Sequence, residues 1–246
     1  EGKNDKLEMI MAKIAVSHLP KKDTLQKQFD EIYSKSITNL IATQQILSED
    51  KIPIAKLSTI TEDPDNHFKK HALQYVQFGS FFLSLTMDEL KKQFTKEKVI
   101  EYFEKSVIFE NENKEYLKRA ISVYWDNDYL VSSHLFNPLI EAGVRELMKI
   151  ANGVWIDVNE LNGYNKLVLS KLLWNKQNVE IFKNIFSKSG EDLIFYFRLV
   201  LTEKLGMNLR NDFAHGLERE KFFSRDASDR LFHILIWLSV IRKKEK

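Results

Sequence analysis

The chain contains no cysteine. That excludes a disulfide framework, a thiolate nucleophile and a sulfur-ligated zinc site, and it suits a reducing, cytoplasmic compartment. Glycine and proline are scarce as well, with 8 and 4 among 246 residues. Together they make up about 5% where an average protein has about 12%, so there is little material for turns and sheet corners, and the composition points to helix. No apolar run approaches the roughly 20 residues that a membrane span needs. The two longest, Leu193 to Leu201 and Leu231 to Ile241, are interrupted by Arg198 and His233 and read as buried helices with no membrane contact. There is no initiator Met and no apolar signal core at Glu1-Gly2-Lys3, which reads as a piece of a longer protein. The net charge is only +2, with 19 basic against 20 acidic side chains in residues 1–126 and 18 against 15 in residues 127–246. Such a balance does not mark the whole surface as nucleic-acid-binding, so any such contact must be local.

What is present is helical periodicity. Leu7, Ile10, Met11, Ile14 and Ala15 recur at three and four before Pro20. A second stripe runs from Leu25 through Phe29, Ile32, Tyr33, Ile37 and Leu40 to about Ser48. Residues 49–66, with Pro53 and Pro64, read as a long surface loop. Helices then follow over Phe68 to Leu85, after Thr86, after Thr95 and over Asn113 to Trp125. A long helix spans Tyr129 to about Ala151, with a kink or restart expected at Pro138 and an end at Asn152-Gly153. Residues 154–165, with an Asn162-Gly163 turn, read as a loop or a short hairpin. Further helices are expected near 166–174, 178–188, 191–204 and 226–243.

The segment Gly206 to Gly216 gathers polar and titratable groups between two apolar helices: Asn208, Arg210, Asn211, Asp212 and His215. Spacing alone decides little, because Arg-x-x-x-x-His arises by chance about 0.2 times in a chain of this composition. A helix N-cap followed by a packed histidine accounts for it as well as a site does.

In Arg210-Asn211-Asp212-Phe213-Ala214-His215-Gly216, the segment resembles the HEPN motif (higher eukaryotes and prokaryotes nucleotide-binding). More narrowly, it is similar to the family carrying Arg-Asn-x-x-x-His-Gly. Ser133 to Glu141, with Pro138 and followed by Arg145, resembles that family's earlier helix. The likeness covers about residues 125–240, whereas residues 1–115 resemble nothing known. It implies an all-α, HEPN-like helical bundle over residues 116–246, preceded by a helical N-terminal region of 1–115. It further implies a homodimer in which two Arg/His pairs face one cleft, and metal-independent cleavage of RNA by its own 2′-hydroxyl. His215 would transfer protons and Arg210 would stabilise the phosphorane-like charge. Residues five apart on a helix are separated by about 140°, so a groove between two copies brings such a pair together more readily than one helix does. A toxin, phage-defence or RNA-processing role, with a neutralising or regulatory protein partner, would fit such an enzyme.

Other positions keep two readings each. Asn211 is a phosphate ligand or a helix cap. Asp212 orients an imidazole or complements the helix dipole. Glu141 and Arg145 form an i, i+4 ion pair that can also support the cleft. Asn208, Arg219, Lys221 and Arg225 are candidate RNA contacts, with Phe222-Phe223 beside them. Phe81-Phe82 and Phe195-Tyr196-Phe197 read as core, and His134 as a packed histidine. His67 and His71 are four apart but lack a third ligand, and are expected to be exposed beside Lys69 and Lys70; no metal or cofactor is expected. The competing function is a non-catalytic HEPN-like helical module that binds a protein or nucleotide.

Overall fold

A computed structural model of the chain describes residues 2–33, 43–47, 51–109, 113–158, 160–215 and 224–242, with the side chains of residues 2–5 and 54 left aside. The described residues are mostly helical. In chain order they form α1 (Gly2–Ser17), α2 (Lys22–Tyr33), strands β1 (Gln44–Leu47) and β2 (Pro53–Leu57), α3 (Pro64–Gln93), α4 (Lys96–Glu104), α5 (Asn113–Trp125) and α6 (Tyr129–Ile150). Strands β3 (Ile156–Val158) and β4 (Tyr164–Lys166) follow, then α7 (Leu169–Trp174), α8 (Lys176–Phe186), α9 (Gly190–Leu201), α10 (Leu209–His215) and α11 (Arg225–Ser239). None of these helices is long and apolar enough to cross a membrane.

The organising element is α11. Every residue from Ala227 to Ser239 is buried, so the helix has no solvent face, and it packs against α6, α3 and α1. Its apolar residues join one core that runs from Leu7 to Leu238 and draws on both halves of the chain. Three buried residues of α11 are ionisable: Asp229, Arg230 and His233. A buried polar group left without a partner costs about 1–3 kcal/mol, more if charged, so each must be answered by a neighbour. Asp229 accepts from Ser84 Oγ of α3 (2.7 Å), from the Tyr124 hydroxyl of α5 and from Arg225 Nε (3.2 Å). Arg230 donates to the Val76 carbonyl (2.6 Å) and Ser80 Oγ (3.2 Å) of α3. His233 Nε2 donates to the carbonyls of Ile14 (3.2 Å) and Ala15 (3.1 Å) in α1, so its Nδ1 must accept from the Tyr196 hydroxyl of α9 (2.9 Å). The helix thus reads its neighbours by polar chemistry as well as by shape.

Several expected boundaries differ. The second helix is described over Lys22–Tyr33, and Gln44–Leu47, which helical periodicity assigns to it, is a strand; residues 34–42 and Ser48 lie outside the described residues. The expected loop over 49–66 holds its partner, paired antiparallel with Gln44 opposite Leu57 and a register shift between Ile46 and Leu47 where Pro53 sits. Proline lacks the ladder donor and is tolerated at such a strand start. The two helices expected on either side of Thr86 are one 30-residue helix, because Thr86 Oγ1 donates back to the Phe82 carbonyl (2.9 Å) instead of capping a new start. Helix α6 runs through Pro138 without a restart, with Asn137 Nδ2 donating to the Ser133 carbonyl (3.0 Å) one turn back. It does end at Asn152-Gly153: Asn152 takes φ 55°, and the Gly153 amide donates to the Met148 carbonyl (2.7 Å). Residues 154–165 contain the short hairpin β3–β4, with Asn162 at φ 58° in its turn.

Burial and the nearby Arg230 charge push His233 down to about 3 from its ordinary 6.5. The unfolded chain therefore takes up a proton as the pH falls below 6.5, while the folded chain resists until about 3. Across that window stability is lost at about 1.4 kcal/mol per pH unit. Between pH 7 and pH 5, urea unfolding is expected to show the wild type losing about 2 kcal/mol more than His233→Gln. Equal losses would contradict a buried neutral imidazole.

Candidate functional site

The approach to α10 is set by backbone geometry. At Gly206 a Cβ would lie 1.9 Å from the Leu199 carbonyl oxygen, so only glycine fits, and the next amide, Met207, donates to that same oxygen (2.8 Å). Asn208 then takes φ 52°, a left-handed conformation that asparagine tolerates better than most residues. Its carbonyl accepts from the amides of Asn211 and Asp212 (both 3.1 Å), which starts α10, and the buried Leu209 side chain pins the helix to the core.

Around this start the expected site residues form two linked sets. Asn208 Nδ2 donates to the buried carboxylate of Asp212 (2.6 Å), and Asn211 Nδ2 donates to Asn208 Oδ1 (2.9 Å) and the Thr202 carbonyl (3.3 Å). Asn211 Oδ1 in turn accepts from Arg210 Nη1 (3.3 Å). Asn211 therefore braces the turn and Arg210 together, and Asn208 joins the same network.

The second set crosses to α6. Arg210 Nε donates to Glu141 Oε2 (3.0 Å), while Arg145 Nη2 donates to Glu141 Oε1 (2.9 Å) and to the Leu167 carbonyl (3.0 Å) beyond β4. The i, i+4 pair read from the sequence is present, and it is half of a triad in which one carboxylate lies between two guanidiniums. All three side chains are about four-fifths buried. The triad carries a net charge of +1 in a place where water screens poorly. Arg210 Nη2 has no hydrogen-bond partner among the described residues.

His215 sits at the last described position of α10 and is exposed, in contrast to the largely buried Arg210 at the second position. No bond joins them within one chain among the described residues. A further imidazole lies beside α10: His134 is exposed, its ring edge-on to Phe213 at 4.7 Å, with Nδ1 donating to the Leu130 carbonyl (2.8 Å). It is thus a surface group against α10 and not a core histidine. Nothing in its local spacing could have shown this, because the contact spans 79 positions of sequence.

The remaining candidates go elsewhere. Arg225 donates to both carboxylate oxygens of Asp88 (2.6 and 3.1 Å), to the Ser84 carbonyl (2.7 Å) and to Asp229, so it clamps α11 to α3. That Arg225 contact draws the Asp88 carboxyl below its usual range. Arg219, Lys221, Phe222 and Phe223 lie outside the described residues. His67 is buried, against expectation, and Nε2 donates to the Ser58 carbonyl (2.8 Å), while burial lowers His71. No group of three or more possible metal ligands occurs among the described residues. Tyr196 and Phe197 are core, as read, but Phe81 and Phe82 are exposed.

Comparison of the chain with known protein families, with curated proteins and with solved structures finds no match.

The triad makes Glu141 and Arg210 energetically coupled. In a double-mutant cycle with Glu141→Gln and Arg210→Gln, a coupling of about 1–2 kcal/mol is expected from urea unfolding. A coupling near zero would show that solvent screens the pair and that α10 is held by its backbone alone.

Proposed function

We propose that the chain is a HEPN-type, metal-independent RNA endonuclease that works as a homodimer, with Arg210 and His215 as the catalytic groups. The observation that carries this reading is the contrast between the two residues. Arg210 is fixed by Glu141 and Asn211 with one edge left for a phosphate, while His215 projects from the end of the same short helix.

The chemistry needs little else. In neutral form, His215 of one protomer takes the proton of the RNA 2′-hydroxyl, and the 2′-oxygen attacks the adjacent phosphorus. The P–O5′ bond breaks, and the leaving 5′-oxygen takes a proton from the imidazolium of the partner's His215. A 2′,3′-cyclic phosphate and a 5′-hydroxyl result, and proton exchange with water resets both imidazoles. Arg210, always charged and planar, meets the extra negative charge of the phosphorane. Glu141 does not touch the phosphate; it holds the guanidinium plane and makes the charge affordable in a largely buried place. A shared cleft explains why no bond links Arg210 to His215 within one chain.

One observation favours the competing reading of a non-catalytic binding module. Glu141 offsets much of the charge on Arg210, and the same arrangement would serve a purely structural tie between α10 and α6.

The test is cleavage of mixed RNA in EDTA by the wild type, Arg210→Ala, His215→Ala and a refolded mixture of the two variants. Each homodimeric variant is expected to lose at least about 100-fold in rate. Because His215 is exposed, its replacement should change stability by less than about 0.5 kcal/mol. The mixed dimer keeps one Arg210 and one His215 on different chains; with that imidazole serving one proton transfer and water the other, it should regain a small but measurable fraction of activity. Undiminished cleavage by both variants would remove this site and leave the binding-module reading.

A further inference from the structure

Helix α3 carries a second, apolar face that is exposed. Its buried side, from Phe68 through Ala72, Val76, Leu83 and Met87 to Leu90, packs toward α11. On the opposite side Tyr75, Phe78, Phe82 and Leu85 follow one another at spacings of three, four and three, flanked by Phe81, and are 47, 73, 51, 52 and 63% exposed. Single exposed apolar residues are ordinary on a protein surface, whereas a contiguous group of four aromatics and a leucine is not. Phe78 touches Phe82, and Phe82 touches Phe81, at ring centroids of 5.8 and 5.5 Å. A recess of about 380 Å³ opens beside them between Gln77, Phe81, Leu85 and Asp226.

We infer that this face pairs with the same face of a second copy, α3 against α3 in antiparallel. A spacing of three and four is the pattern that keeps apolar side chains on the seam of a two-helix contact. Aromatic side chains present about 150–250 Å² each, so the exposed parts of these five residues amount to about 500 Å² per copy. Two copies would bury about 1,000 Å², the size at which specific interfaces begin. The neighbouring Gln74, Gln77, Ser84 and Thr86 are uncharged, and the charges nearest the recess, Asp88, Arg225 and Asp226, sum to −1, which does not suit nucleic acid. Antiparallel pairing opposes the two helix dipoles and separates the Lys91-Lys92 ends, which a parallel pair would bring together. The register centred between Phe78 and Phe82 places each opposite the other, and Tyr75 opposite Leu85. The contact is independent of the Arg210 site, since it uses no residue of α10 or of the Arg145–Glu141–Arg210 triad.

Because the chain has no cysteine, engineered thiols test the geometry cleanly. Sedimentation of the whole chain at tens of micromolar should give an assembly whose mass Phe78→Glu/Phe82→Glu halves, while circular dichroism shows an unchanged melting temperature. Under mild oxidation, a mixture of Tyr75→Cys and Leu85→Cys chains should cross-link, and neither variant should do so alone. The inference fails if the wild type is monomeric, which would leave the face to a different protein, or if the double substitution leaves the mass unchanged. It also fails if either thiol variant cross-links by itself, because identical positions meet only in a parallel pair. Arg210→Ala should not alter the mass change, which separates failure here from failure of the cleavage reading.

Discussion

Helix α11 has no surface, and the rest of the molecule is arranged around that fact. Apolar packing would fix its position only loosely, since leucine and isoleucine accept many neighbours at similar energy. Asp229, Arg230 and His233 narrow the choice. Each requires particular donors or acceptors at hydrogen-bond distance, and these come from α3, α5, α1 and α9. The buried positive charge of Arg230 is met by a backbone carbonyl and a serine hydroxyl of α3, and Gly79 makes room for it, since a Cβ there would lie 3.1 Å from Nη2. With α11 held in this way, α6 lies along it and presents Glu141 to the loop that starts α10.

The Arg145–Glu141–Arg210 triad sets one carboxylate between two guanidiniums. A lone arginine buried to this extent would be expensive to desolvate. One carboxylate shared by two guanidiniums leaves a net positive site at modest cost. The bonds of Asn211 add direction, holding the guanidinium by Nη1 while Glu141 holds it by Nε. The strained entry at Gly206 and Asn208 places Arg210 on the first turn of α10.

Local signals in the sequence were read well and distant ones were not. Asp128 before α6 and Asn152-Gly153 after it mark that helix because capping is a property of adjacent residues. Glu141 and Arg145 pair as i, i+4 spacing requires. The bond from Arg210 to Glu141 spans 69 positions and that from Arg225 to Asp88 spans 137, so neither leaves a local trace. Gln44–Leu47 reads as the tail of the helical stripe begun at Leu25 because no Gly or Pro separates it from that stripe, and only pairing with 53–57 makes it a strand. Thr86 and Pro138 are both helix-breaking signals that tertiary packing overrode. Phe81 and Phe82 read as core because aromatics at helical spacing usually are, yet they lie off the stripe formed by Val76 and Leu83 and are exposed.

In the proposed reaction Arg210, the His215 imidazoles of the two copies and the RNA's own 2′-hydroxyl are sufficient for strand cleavage. The chemistry of the new ends tests it most directly. Mass spectrometry of short RNA digested in EDTA should show 2′,3′-cyclic phosphate and 5′-hydroxyl termini, and RNA with 2′-deoxy substitution at the scissile position should remain intact. Products with 3′-hydroxyl and 5′-phosphate ends, or cleavage of the 2′-deoxy substrate, would contradict it.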